Sequence, residues 1–236
     1  IIFVKIMRNI FLAIFSGLLL AFSWPPKGMF ALIFFAFVPI LLLQQEFLVN
    51  KKKNDDARLF GYVYLTFLIF NIITTYWIYH ATVSGSLFAF LLNSLLMTFC
   101  FYLFYKTSEI FGKRLAAISF IFIWLSFEYI HFNWDLSWPW LTLGNVFSEI
   151  PSIVQWYEFT GVMGGSLWIL IINILIFNFI LSRSSRILIS LIISLILPII
   201  VSFLLVKDNE IANQAKKINV LIVQPNIDSY MDKFSI

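Results

Sequence analysis

Glu128, His131 and Asp135 are the residues of this 236-residue chain whose types and spacing come nearest to chemistry. At i, i+3 and i+7 they would share one face of a helix, and two carboxylates with an imidazole are donors that a metal can use. No fourth ligand is in view, so the spacing reads first as a solvated helix end. Glu128, at a membrane boundary, could still orient a polar headgroup or pair with an external cation. No metal or cofactor is expected. Shortly after, Trp138-Pro139-Trp140 sets two indoles about a proline turn. Such rings sit half-buried at headgroup level, where the N–H meets water, so Trp138 and Trp140 join Glu128 as candidates for docking a lipid or polar substrate. The lone cysteine, Cys100, lies between Phe99 and Phe101 in an apolar run and reads as a small hydrophobe rather than a nucleophile. His80, after Trp77 and Tyr79, reads as interfacial. No Ser-His-Asp set, Walker loop or dinucleotide fingerprint occurs, and no complete active site can be assembled from these residues.

The elements that must position these residues are membrane helices. The chain is 61% hydrophobic and 12% charged, against about 45–50% and about 25% in soluble domains. Apolar runs long enough for helices across about 30 Å of hydrocarbon fall near Ile10–Phe22, Phe30–Leu43, Leu59–Tyr79, Leu87–Tyr105, Leu115–Tyr129, Ser166–Leu181 and Ile187–Val206. The basic residues test this division, because Lys and Arg collect in short cytoplasmic loops. Lys5 and Arg8 precede the first run, and Lys51, Lys52, Lys53 and Arg58 separate the second and third. Lys106, Lys113 and Arg114 separate the fourth and fifth, and Arg183 and Arg186 the last two. The alternate connections hold only Lys27, which puts the N-terminus inside and the Trp-rich stretch Glu128–Gly165 outside, lying along the outer leaflet. The net charge of +4 is therefore a topology signal, and no nucleic-acid partner is expected.

The first run has a rival reading as a signal peptide ending at Ala21-Phe22-Ser23, and Met7 is a plausible start. Asn71, Asn93, Asn173 and Asn178 lie inside the runs and read as helix-packing residues. The middles of the runs carry no charge and show no inverted pair of broken helices, which argues against a carrier. Gly161, Gly164 and Gly165 should let the sixth run begin in close backbone contact with a neighbour. Past Val206 a polar spacer, Lys207–Lys217, leads to Ile218–Val223, which reads as a buried β-strand closed by Gln224-Pro225-Asn226. A strand needs partners for its backbone groups, so it reads as the opening of a soluble domain.

Taken in order, the Trp-Pro-Pro turn at Trp24, the Phe-Glu-Tyr at Phe127, Trp138-Pro139-Trp140-Leu141, Gly144, Gln155, Gly161, Gly164 and the closing Ile-Asn-Val-Leu-Ile-Val-Gln-Pro-Asn-Ile resemble bacterial apolipoprotein N-acyltransferase. The resemblance implies an all-α membrane bundle of about seven transmembrane helices (1–206), a periplasmic linker (207–217) and the start of a truncated nitrilase-like α/β domain (218–236). It also implies an enzyme of the bacterial inner membrane. That enzyme moves an acyl chain from a phospholipid donor to the α-amino group of a diacylglyceryl-modified apolipoprotein, through a Glu-Lys-Cys triad and a thioester. The triad is expected beyond Ile236, so no catalytic residue is carried onto this chain, and the fragment alone should be inactive. Phe234 falls near the place of an aromatic residue at the family's substrate cleft, where Trp is common. The competing classes are a multi-helix transporter or a structural anchor with a small periplasmic appendage.

Overall fold

The computed structural model describes residues 2–205 and 219–224. Among them seven helical spans are long and apolar enough to cross a membrane. In chain order the helices of these spans are α1 (Ile2–Phe22), α2 (Val38–Val49) and α3 (Asp55–Thr75). They are followed by α4 (Val83–Gly112), α5 (Leu115–Asn133), α6 (Val162–Ser182) and α7 (Ser185–Leu205). Thr82 caps α4 by accepting the Gly85 N–H at 3.3 Å, which satisfies one of the free donors of its first turn. α4 and α5 meet at Gly112, whose φ of 76° breaks the helix. The Phe104 and Phe120 rings stand 4.6 Å apart, although a straight helix would separate them by about 24 Å. The chain therefore reverses at Gly112.

The second span is not one helix. Phe30–Phe35 forms a 3-10 turn and α2 starts only at Val38, with Pro39 in its first turn. Proline lacks an N–H and its ring would meet the carbonyl four residues back, so the helix cannot run through. The break frees the Phe37 N–H and weakens the bonding of the Ile33 carbonyl. Asn173 of α6 takes both: its Oδ1 accepts from Phe37 N at 2.9 Å and its Nδ2 donates to Ile33 O at 2.9 Å and to Ile169 O at 2.9 Å. The packing role expected of Asn173 is thus the repair of a broken span. Asn71 and Asn93 join α3 to α4 through a 2.7 Å bond; Asn178 is only half-buried.

α1 packs into the bundle. Thr66 of α3 donates to the Ala13 carbonyl at 2.9 Å, and a side chain at Gly17 would meet the Thr66 carbonyl. Around Phe37 the core is aromatic: its ring lies 5.1 Å from Trp124 and 5.8 Å from Phe120. In lipid, where tails are as apolar as leucine, such interlocking is what holds helices together. One end of the bundle gathers the basic residues. Lys5 and Arg8 pair with Glu46, and Lys51 and Lys106 pair with both Asp56 and Glu109. The hydrogen bond to Glu109 holds the Lys51 ammonium above its ordinary pKa.

The strand expected at Ile218–Val223 is not formed among the described residues. Residues 219–224 carry no regular element, and Val220 to Val223 are exposed. Among the described residues there is no neighbouring strand to take the N–H and C=O groups that a strand must satisfy. The spacer 207–217 and Phe234 lie outside the described residues.

Candidate functional site

The end opposite the basic cluster is built by α5 and the long connection to α6. Trp124, Glu128 and His131 recur at helical spacing on the inward face of α5, and all three are buried. Glu128 is 2% exposed, so the solvated helix end expected from its spacing with His131 and Asp135 is corrected. A carboxylate is tolerated there because donors meet it: its Oε1 accepts from the Trp124 indole at 3.0 Å and from the Leu143 N–H at 2.8 Å. The second donor comes from the connection itself, so the carboxylate ties the loop to the helix. The Asp135 of the expected triplet is exposed and lies past the helix end at Asn133. Among the described residues no three His, Cys, Asp or Glu side chains are grouped to hold a metal ion.

The connection does not simply lie along a surface. It folds into short 3-10 turns at Pro139–Leu141, Leu143–Phe147 and Pro151–Ile153, with Leu141, Leu143, Val146 and Phe147 buried. Its backbone is held at several points. Ser166, beside the Glu128 carboxylate, accepts the Gly144 N–H at 3.0 Å, and Tyr157 donates to the Gly144 carbonyl at 2.9 Å. Ser202 of α7 accepts the Gln155 N–H at 2.7 Å. Burial pushes the Tyr157 phenol above its ordinary pKa, which keeps it a donor. Gly144 has no room for a side chain, because a Cβ there would strike the Val162 carbonyl. Gly161, at φ 63°, makes the turn into α6 in a conformation that glycine adopts without strain. The close approach expected of these glycines is therefore present, between Gly144 and the start of α6.

Trp138 and Trp140 flank this anchored segment. Their rings are 6.1 Å apart, Trp138 half-buried and Trp140 54% exposed, and Trp140 also leans on Trp77 at 5.3 Å. Two cavities open on either side. One, of 240 Å³, lies between the first turns of α4 and residues His131–Trp138. The other, of 360 Å³, is lined by the Trp24–Lys27 turn, Trp77 and Trp140. Glu128, Trp138 and Trp140 are thus brought together around one loop, with apolar walls and indole edges suited to amphipathic ligands. Cys100 is buried in α4 and touches neither cavity. The residues that sequence reading missed are His131 as a buried group, Ser166, Tyr157 and the Leu143 backbone. The spacing of Trp124 to Glu128 and His131 was the available signal for the first of them.

The chain matches the family model described as the apolipoprotein N-acyltransferase N-terminal domain over residues 16–175. Two curated relatives are similar, both named apolipoprotein N-acyltransferase. That of Chlorobaculum tepidum is 28% identical over 231 residues, 94% of this chain and 42% of the relative. That of Geobacter metallireducens is 30% identical over 190 residues, 76% of this chain and 35% of the relative. The chain therefore spans less than half the length of these relatives. No solved structure matches it.

Proposed function

The chain belongs to the apolipoprotein N-acyltransferase family, and on that premise we propose that it is the membrane part of an enzyme that moves an acyl chain from a phospholipid to the α-amino group of a diacylglyceryl-modified lipoprotein. The observation that carries this reading is the match across residues 16–175, which takes in the whole loop anchored by Glu128, Ser166 and Tyr157. In this reading the basic end faces the cytoplasm and the tryptophan-rich end meets the outer leaflet of the bacterial inner membrane. Lipid and lipoprotein then approach Trp138 and Trp140 from the side.

The chemistry belongs to the nitrilase-like part that Ile218–Val223 would open. There a cysteine thiolate, activated by Lys and Glu, attacks the ester carbonyl of the donor, and the lysophospholipid leaves as the alcohol. The α-amine then attacks the thioester and releases the thiol, so one difficult transfer becomes two easier ones. Cys100 takes no part, and Phe234 is proposed to border the cleft. The role of the seven helices is to hold that domain against the lipid and to present docking surfaces at its base.

The test uses the purified full-length protein with vesicles whose phospholipid carries a labelled acyl chain and with a peptide bearing diacylglyceryl-cysteine. Label recovered in amide linkage on the peptide supports the reading. Folded protein that leaves the peptide unlabelled would refute it.

A further inference from the structure

Among the described residues, four buried polar atoms of residues lining one small hole beside the loop have no partner: Asn93 Oδ1, Glu128 Oε2, His131 Nε2 and Trp138 Nε1. Buried polar groups in native proteins nearly always find a partner, either protein or ordered water. These four belong to residues around one hole of about 10 Å³, whose remaining wall is Met97, Phe127, Leu141 and Thr142. A hole of that size takes one water and nothing larger.

The bonds already made define what each atom still offers. Asn93 gives its Nδ2 hydrogen to Asn71 at 2.7 Å, which leaves Oδ1 as an acceptor. Glu128 Oε1 is occupied by Trp124 and Leu143, and with the Ser166 hydroxyl also beside the carboxylate, Oε2 keeps lone-pair capacity to accept. His131 Nδ1 accepts from the Trp134 indole at 3.2 Å, so the ring proton sits on Nε2 and is free to donate. The Trp138 indole N–H can only donate. Two acceptors and two donors are the bonding complement of one water molecule. A cation would leave both donors unanswered, and an anion both acceptors.

We infer that this hole is a binding site for a single water that joins α4, α5 and Trp138 of the loop. With it, a continuous hydrogen-bonded chain runs from the Phe67 carbonyl on α3 through Asn71, Asn93, the water and Glu128 to the Leu143 N–H. The 240 Å³ cavity shares Asn93, His131 and Trp138 with the hole and supplies the route by which the water exchanges.

Radiolytic hydroxyl-radical labelling of the full-length protein in nanodiscs, in oxygen-18 water, tests it. Radicals born at a bound water oxidise what lies against it, and Met97 lines the hole while being only 2% exposed. Met97 should take up oxygen-18 in the wild-type protein, with the exposed Met29 as the dose control. Its labelling rate should fall several-fold in the Asn93→Leu, Trp138→Phe double variant. The Trp138→Phe single variant, which keeps a ring in place, should show the same direction of change. No label at Met97 in the wild type, or an unchanged rate in the folded single variant, would overturn the site.

Discussion

Replacing Asn173 with leucine should unfasten the break in the second span. The side chain is fully buried and closes two backbone groups that the break at Ala36–Phe37 leaves open. Leucine fills the same space but bonds to neither. The Phe37 N–H then loses its partner outright, while the Ile33 carbonyl keeps a poorer bond from the Ala36 N–H at 3.3 Å. An orphaned buried group costs about 1–3 kcal/mol, so the pair should cost about 2–4 kcal/mol. That exceeds the ~0.6 kcal/mol of a typical hydrogen bond between membrane helices, where the separated helices find other partners. Here the donor is backbone at a proline-enforced break and has no alternative. At roughly 2–4 °C per kcal/mol for a chain of this size, the unfolding midpoint in detergent should fall by about 4–16 °C. The control is Asn178→Leu, at a half-buried position on the same helix, which should shift it little. Equal midpoints for the two variants would refute the stapling role.

Glu128→Leu leaves the Leu143 N–H and the Trp124 indole without an acceptor, a cost of about 2–6 kcal/mol, whereas Glu128→Gln keeps an oxygen for both; thermal unfolding of the two variants should separate them clearly. In the full-length enzyme Trp140→Ala should raise the phospholipid concentration for half-maximal transfer by about fivefold, the equivalent of ~1 kcal/mol. Cys100→Ala should leave turnover nearly intact, and an acyl-transfer assay in which Cys100→Ala is inactive would reverse that division of labour. In a Cys100→Ala background, Lys52→Cys should be labelled by an impermeant thiol reagent only from the cytoplasm, and Ser148→Cys only from the other side. Labelling of both from one side would mean a miscounted span.

The spans and the clustering of basic residues were legible because both are properties of local composition. Lys51 sits in a connection and Lys106 near the end of α4, yet the alternation of charge alone put them at one end, and there they share Asp56 and Glu109. The break before Val38 was not read, although Pro39 was its signal, because the apolar run continues through it unbroken. Glu128 was misread for a different reason. A carboxylate near the end of a run reads as solvated when its partners are invisible, and here the decisive partner is a backbone N–H, that of Leu143. A backbone donor leaves no trace in residue type. The loop likewise looked like a strip along the leaflet, since tryptophan content reports polarity but not the Ser166, Tyr157 and Ser202 bonds that fold it back.

Whether this chain is the membrane part of a lipoprotein N-acyltransferase is decided in cells depleted of their own enzyme and supplied with the full-length protein. The measurement is the mass of a lipoprotein's N-terminal peptide. The diacylglyceryl peptide should gain one amide-linked acyl chain when the protein is expressed. A peptide that stays at its diacylglyceryl mass while the protein is folded in the membrane would contradict it.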